Sequence, residues 1–181
     1  MRAHATLASL LLLTGVAGLA QQPSAAKGSA VTVTSSSFLA GGAIPEKYSC
    51  KGLDISPALS WRGVPAKTKT FAVIMDDPDA PAGIWVHWVE WNIPATQHSL
   101  TENVAKSEQL DDGSEQGRNS FGKTGYNGPC PPMGQTHRYF FRVYALDGKL
   151  TLAPGSDRAA LDEAMKGHTL AEGEYMGTFH K

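Results

Sequence analysis

Five segments of the chain have the length and the apolar content that are typical of β-strands. The outer two alternate apolar and polar residues, and the others contain longer apolar runs between polar or proline boundaries. The segments are AVTVTSSSF at 30–38, KTFAVIMDD at 69–77, IWVHWVEWNIP at 84–94, THRYFFRVYALD at 136–147 and GEYMGTFHK at 173–181. The pattern therefore predicts a mainly β fold.

One segment has helical periodicity instead. In SDRAALDEAMKGHTL, at 156–170, Ser156 or Asp157 is suited to cap the helix. The predicted apolar face contains Leu161, Ala164, Met165 and His168. The stretch 95–125 is polar and has no sustained period, so we expect a long surface excursion there. These features predict one domain with one or two peripheral helices.

The first 20 residues differ from the rest, because Arg2 and His4 precede a short apolar run that ends in small side chains. This pattern predicts a secretory signal peptide, with cleavage between Ala20 and Gln21. The run is too short for a transmembrane helix, which needs roughly 20 residues. A buried N-terminal helix is the alternative. We expect a flexible leader at 21–29, a domain at 30–181 and a periplasmic or secreted protein.

The 16 basic and 17 acidic side chains give a formal net charge of −1. This balance does not favour nucleic acid or an anionic membrane as the main partner. Recognition of an anion must therefore depend on local groups.

Cys50 and Cys130 are the two cysteines of the chain. Export would favour a disulfide between them, closing a loop of about 80 residues, since thiols in an oxidising compartment tend to pair. Two unpaired, buried thiols are the alternative. The chain has no Cys-x-x-Cys motif of the kind that binds zinc.

Two of the predicted strands carry a histidine near their beginning. Side chains two residues apart share a face of a strand, so His137 and Tyr139 should lie on the same side. In the preceding strand the same rule groups His87 with Trp85, Val89 and Trp91. A lone histidine in a strand is more often structural than functional, and the tryptophans taken singly are most simply core residues.

Two stiff loops accompany these strands. Asp77 and Asp79 lie in DDPDAP, where two prolines restrict the backbone. The loop GPCPP, at 128–132, could form a rigid pocket wall that offers backbone N–H groups. Two imidazoles together with such donors suit phosphate or sulfate, and a nearby carboxylate could orient an imidazole. Each loop alone could equally be a turn that braces a sheet edge.

The motifs Asp-Pro-Asp-Ala-Pro, His-Trp, Gly-Pro-x-Pro-Pro-x-Gly and His-Arg-Tyr follow one another in this order. In this combination the chain, from about Phe38 to its last residue, resembles the phosphatidylethanolamine-binding protein family and most closely its bacterial, Raf kinase inhibitor-like branch. The resemblance implies a β-sandwich with a large central antiparallel sheet. It also implies a small pocket that accepts an anion.

Matched motif by motif, the resemblance assigns six residues to that pocket: Asp77, His87, Cys130, Pro131, His137 and Tyr139. Asp79, Trp85 and Gly128 would support it. The resemblance implies no catalytic residue, cofactor or metal. The short turn PAGIW, at 81–85, predicts that an aromatic rim found in eukaryotic relatives is missing, and the strand-like C-terminal segment predicts no helical lid.

The sequence therefore favours a binding module for a phosphate-containing small molecule or a phospholipid head group, which would modulate a partner without catalysis. One alternative is a metal-dependent hydrolase using His87, His137, Asp77 and Asp79, although no His-Glu-x-x-His motif occurs. Another is a protein inhibitor of a kinase or protease. A serine hydrolase based on Ser56 or Ser60 lacks the Gly-x-Ser-x-Gly elbow. Whether the chain forms a homodimer is left open.

Overall fold

The structure is a computed structural model that describes Met1 and residues 30–181. The predicted signal peptide, apart from Met1, and the whole predicted leader at 21–29 lie outside the described residues. No helix within the described part of the chain is long and apolar enough to cross a membrane.

Residues 30–181 contain eight strands and one α-helix, together with a short 3-10 helix at Glu46–Tyr48. In chain order these are β1 (Thr32–Thr34), β2 (Leu59–Arg62), β3 (Thr70–Asp77), β4 (Trp85–Pro94), β5 (Ser99–Leu100), β6 (Glu115–Gln116), β7 (Thr136–Leu146), α1 (Arg158–Met165) and β8 (Thr169–His180). The fold is thus mainly β, as predicted from the sequence.

The strands form two antiparallel sheets. A five-stranded central sheet has the order β6-β4-β3-β7-β8, and a three-stranded sheet has the order β1-β2-β5. Alternate residues of β3 point to opposite faces of the central sheet. Val73 and Met75 pack in the cluster that includes Trp61 of β2, whereas Ile74 packs in the cluster that includes Leu161 of α1. The central sheet is therefore covered by the small sheet on one face and by the helix on the other.

The predicted helix is present, and Asp157 is its N-cap, accepting a hydrogen bond from the Ala160 N–H at 3.0 Å. Leu161 and Met165 are buried on its inner face, but His168 lies beyond the helix and is exposed. The prediction that His168 lies on the apolar face of the helix was wrong, because the helix ends at Met165 and the chain then enters β8.

The stretch 95–125 is largely irregular, as expected, but it is not only a surface excursion. It contributes β5 and β6, and the side chains of Gln116 and Asn119 are buried. Gln116 accepts a hydrogen bond from Trp88 Nε1 and donates to the carbonyl of Ala105. Polar side chains that satisfy neighbouring backbone groups thus hold this segment against β4.

Candidate functional site

The topology of the central sheet brings three strand ends together. β3 is antiparallel to both β4 and β7, so the end of β3 lies beside the beginnings of the other two strands. Asp77 ends β3, Trp85 begins β4, and His137 is the second residue of β7. The two histidine-containing strands therefore meet at one edge of the sheet with the aspartate loop between them.

Asp77 and His137 form a buried pair. His137 Nδ1 is 2.7 Å from Asp77 Oδ2, and both side chains are only 4 % exposed. The other carboxylate oxygen of Asp77 accepts the backbone N–H of Asp79 at 2.9 Å. His137 Nε2 lies 3.0 Å from Gln135 Oε1. These contacts fix the orientation of the imidazole, as the sequence predicted for an acid beside a histidine.

His87 is held differently. Its Nδ1 lies 2.7 Å from the carbonyl oxygen of Asn127. A carbonyl only accepts hydrogen bonds, so Nδ1 carries the proton, and Nε2 of the neutral ring is left with a free lone pair. Burial lowers the pKa of His87, and the contact with Asn127 and the charge of Asp77 oppose this effect only in part. His87 is therefore a neutral imidazole at neutral pH.

The prediction that Val89 and Trp91 of β4 share a face with His87 was wrong. Met75 pairs with Trp88 and Asp76 with Val86, so His87 is the extra residue of a β-bulge. His87 contacts Tyr139, whose ring lies in the cluster between the sheets. Val89 and Trp91 pack instead in the cluster beneath α1, because the bulge reverses the alternation of the following residues.

Tyr139 lies beneath the two histidines. Its ring centroid is 5.2 Å from that of His87, and the residue is fully buried. Its hydroxyl has no hydrogen-bond partner among the described residues. Burial, with a further contribution from the charge of Asp77, raises the pKa of Tyr139. Tyr139 is not among the residues that line the pocket; it lies in the core against His87 and does not face a ligand.

Cys130 and Pro131 line the pocket, and Cys130 forms a disulfide with Cys50. The prediction of a disulfide is confirmed. Cys50 N–H also donates to the carbonyl of Pro129 at 3.1 Å. The segment 128–132 is thereby tied to the loop around Cys50 by a covalent bond and a backbone hydrogen bond.

The expectation that this segment offers several backbone donors was wrong. Three of its residues, Pro129, Pro131 and Pro132, have no N–H group. The N–H of Gly128 donates to Asp54 Oδ1 at 2.7 Å. Only the amide of Cys130 therefore remains for a ligand in this segment. The role of Gly128 is steric, because a Cβ at this position would overlap the carbonyl oxygen of Tyr48.

Asp79 and Trp85 have separate roles. Asp79 accepts two hydrogen bonds from the Arg138 guanidinium, at 2.9 and 2.7 Å. This contact lowers the pKa of Asp79 to about 2. Asp79 is not among the residues that line the pocket, and it holds the aspartate loop against β7. Trp85 does line the pocket.

Two lining residues were missed from the sequence. Phe121 packs edge-on against both Trp85 and His87. It supplies an aromatic rim from the segment 95–125, where no apolar period gave a signal. Lys181 places its Nζ 3.4 Å from Cys130 Sγ. Its position beside the loop depends on the pairing of β8 with β7 and could not be read locally.

These residues enclose a pocket of about 360 Å³. Besides those already named, its lining includes Ala80, Pro81, Ala82 and Pro132. The walls are thus mostly apolar, while His87, His137, Asp77 and Lys181 supply the polar groups. No cluster of three or more histidine, cysteine, aspartate or glutamate side chains in residues 30–181 is arranged to hold a metal ion.

The structure thus combines a β-sandwich with a small histidine-lined pocket at the end of its central sheet. The sequence profile of the family described as phosphatidylethanolamine-binding protein matches residues 34–180. The chain belongs to this family.

The chain is 52% identical over 140 residues to a UPF0098 protein of Methanothermobacter thermautotrophicus, covering 77% of this chain and 92% of the relative. Among solved structures, it is similar to CT736 of Chlamydia trachomatis, described as a putative phosphatidylethanolamine-binding protein homologue. The TM-score is 0.76 at 41% identity, with 84% of this chain and 99% of that chain covered. It is also similar to E. coli YbcL, with a TM-score of 0.78, 35% identity and coverage of 83% and 98%.

Proposed function

We propose that the protein binds one phosphate or phosphate-ester group in this pocket and acts by binding, without turning the ligand over. The observation that carries the proposal is the convergence of His87 and His137 on one pocket of about 360 Å³. Both rings are held by hydrogen bonds before a ligand arrives, so little ordering is required on binding.

Three groups are suited to an anion. Lys181 provides a positive charge at the wall, and the Cys130 amide is a neutral donor. His87 accepts a hydrogen bond from a protonated phosphate oxygen, or gains a proton when the anion is fully ionised. Asp77 also lines the pocket, but its two carboxylate oxygens are already engaged by His137 and by the Asp79 amide.

The apolar rim defines the remainder of the ligand. Trp85 and Phe121 pack together on one side of the pocket, and Pro131 and Pro132 line the other. These surfaces suit the carbon atoms of an esterified head group. Ile84 precedes the lining residue Trp85 and Met133 follows the lining residue Pro132. They are 66% and 77% exposed and supply apolar contact for a protein partner.

A metal-dependent hydrolase using His87, His137, Asp77 and Asp79 has less support. Asp79 is held by Arg138, and one nitrogen of each histidine is engaged by Asn127 or Asp77. The remaining atoms do not form a set of three protein ligands of the kind that catalytic zinc sites use.

We further propose that the protein acts in the periplasm or is secreted. The support is the predicted signal peptide together with the disulfide between Cys50 and Cys130, since structural disulfides persist mainly in oxidising compartments.

The binding proposal is tested by titrating the protein with inorganic phosphate and with O-phosphoethanolamine while the histidine rings are followed by NMR. We expect saturable shifts of the His87 and His137 signals at millimolar ligand, and loss of binding in His87→Ala. His168→Ala is the matched control, because His168 is exposed and contacts Asp147 at the far end of β7. Unchanged His87 and His137 signals at saturating ligand would show that the pocket does not bind phosphate.

A further inference from the structure

A second crevice lies between β4 and the chain that follows it. Its volume is about 300 Å³. Glu90 and Leu100 are buried at its inner end, whereas Ser99, Asp111 and Asp112 are exposed at its mouth. The crevice shares no lining residue with the histidine pocket. It is therefore a separate feature of the molecule.

The carboxyl group of Glu90 is incompletely satisfied. Glu90 is fully buried, and its Oε1 lies 3.3 Å from the hydroxyl of Ser114. That hydroxyl lies closer, at 2.6 Å, to Asp112 Oδ1. A serine hydroxyl has one proton, so it is donated to Asp112. Oε2 of Glu90 has no partner in the described part of the chain.

The lining of the crevice favours a positively charged occupant. It contains the carboxyl groups of Glu90, Asp111 and Asp112, and no lysine or arginine. A buried carboxylate without a hydrogen-bonding partner is costly, and a cation that donates to it would remove this cost.

The apolar part of the lining distinguishes between kinds of cation. Leu100, Val104 and Leu110 line the crevice together with the carboxyl groups. A calcium ion requires six to eight oxygen ligands, as a rule, and no three acidic side chains in the described part of the chain are arranged to hold a metal ion. A primary ammonium needs only a few acceptors, and the alkyl chain attached to it gains from apolar contact.

We propose that this crevice binds a primary alkylammonium group, with Glu90 as its acceptor and the side chains of Leu100, Val104 and Leu110 packed against its alkyl chain. The ligand class is a small aliphatic amine or diamine. Asp112 and Asp111 attract the ammonium at the mouth, and Glu90 receives it at the inner end.

The ionisation of Glu90 agrees with this role. Burial, together with the nearby charge of Asp112, raises the pKa of Glu90 to about 8. A bound ammonium ion offsets both effects by placing a positive charge beside the carboxylate.

The test uses the full chain and the probe 1,5-diaminopentane, with pentan-1-ol as the uncharged counterpart. Binding is followed by amide NMR and by calorimetry at neutral pH. We expect saturable shifts at Leu100, Leu110 and Asp112 with the diamine, and none with the alcohol. The His87 and His137 ring signals should not change, which separates this site from the histidine pocket.

Variants identify the acceptor. Glu90→Gln keeps the shape of the side chain and should weaken diamine binding at least about tenfold, the effect of removing one hydrogen bond to a charged group. Glu163→Gln is the matched control, because it makes the same chemical change at an exposed carboxylate of α1 that lines neither the histidine pocket nor the crevice; we expect a change of no more than about twofold. Circular dichroism checks that each variant is folded.

Four results would overturn the proposal. The first is no saturable response of the wild-type protein at about 10 mM diamine, because a specific site of this kind should have a lower dissociation constant. The second is an equal response to the alcohol. The third is equal diamine binding by Glu90→Gln. Calcium chloride producing the same shifts at lower concentration than the diamine would also overturn it, since the crevice would then be a metal site. The wild-type comparison of amine with alcohol decides the question even if Glu90→Gln does not fold.

Discussion

At the scale of single residues, the two histidines of the pocket are held by opposite kinds of partner. His137 faces a carboxylate, Asp77, whereas His87 faces a backbone carbonyl and lies in apolar surroundings. Burial therefore lowers the pKa of His87, as its charged form has no directly bonded counter-ion. The two rings thus contribute differently to binding an anion.

This difference predicts that binding of a fully ionised anion takes up a proton at His87. Sulfate is a suitable probe, because it does not itself titrate near neutral pH. The pKa of His87 is low in the free protein and rises when an anion lies beside the ring, so the affinity for sulfate should increase as the pH falls. We expect up to about a tenfold increase per pH unit, measured by calorimetry between about pH 8 and pH 5.

His87→Gln should remove this dependence, because glutamine does not titrate, and His168→Gln should leave it unchanged. An affinity that is independent of pH in the wild-type protein would contradict the assignment. The charges of Asp77 and Asp54 raise the pKa of His87, but burial outweighs them, and the net shift is downward.

Glu90 gives a second prediction at this scale, for stability. Its pKa is 4.5 in the reference state and about 8 in the folded protein. The folded state therefore holds the proton of Glu90 more tightly than the unfolded chain does. The resulting contribution to the free energy of unfolding is complete below pH 4.5 and is lost as the pH rises through 8. Without ligand, the wild-type free energy of unfolding should fall relative to Glu90→Gln by up to about 1.4 kcal/mol per pH unit in this window.

Urea unfolding of the two proteins at about pH 5 and pH 9 measures this difference. The variant should gain relative stability at the higher pH. Parallel curves at both pH values would mean that Glu90 is ionised and compensated in the folded protein without a ligand.

At the scale of elements, five of the eight strands in residues 30–181 were predictable from sequence, three from long apolar runs and two from alternation, whereas the short strands β2, β5 and β6 were not predicted. The segments 69–77 and 136–147 contain β3 and β7 within one residue at each end. The face of β4 was not predictable, because a bulge at His87 depends on its partner strand and leaves no local pattern. Phe121 and Lys181 were missed for a related reason, since both reach the pocket only through tertiary contacts.

The pocket wall at 128–132 gives a prediction for an element. A Cβ at Gly128 would overlap the carbonyl oxygen of Tyr48, which also accepts the hydroxyl of Tyr126. Gly128→Ala should therefore separate the wall from the Cys50 loop, lower the stability by about 1–3 kcal/mol and weaken phosphate binding. Urea unfolding and phosphate titration measure the two effects.

Gly148→Ala is the matched control. Gly148 has ordinary backbone angles, and no atom lies within 4 Å of the added Cβ. We expect almost no change in either measurement. Equal stability of the two variants would show that the wall can shift without cost.

At the scale of the whole molecule, the sandwich separates two sites of different charge. The histidine pocket lies at the end of β3, and the Glu90 crevice lies beside β5, where the small sheet meets the central sheet. The first contains Lys181 and Asp77, whereas the second contains three carboxyl groups and no lysine or arginine. The formal net charge of −1 therefore averages over two local environments of different charge, which composition alone could not reveal.

The location of the protein provides the last prediction. If residues 1–20 are a signal peptide, the full chain expressed in a Gram-negative host should be recovered from the periplasm with Gln21 as its first residue. Its mass should correspond to an oxidised Cys50–Cys130 pair, because the periplasm promotes disulfide formation. A chain carrying Leu11→Arg and Leu12→Arg should stay in the cytoplasm with free thiols, since charges interrupt the apolar run that export requires. Recovery of the wild-type chain from the cytoplasm with Met1 in place would contradict export, and the disulfide would then need another explanation.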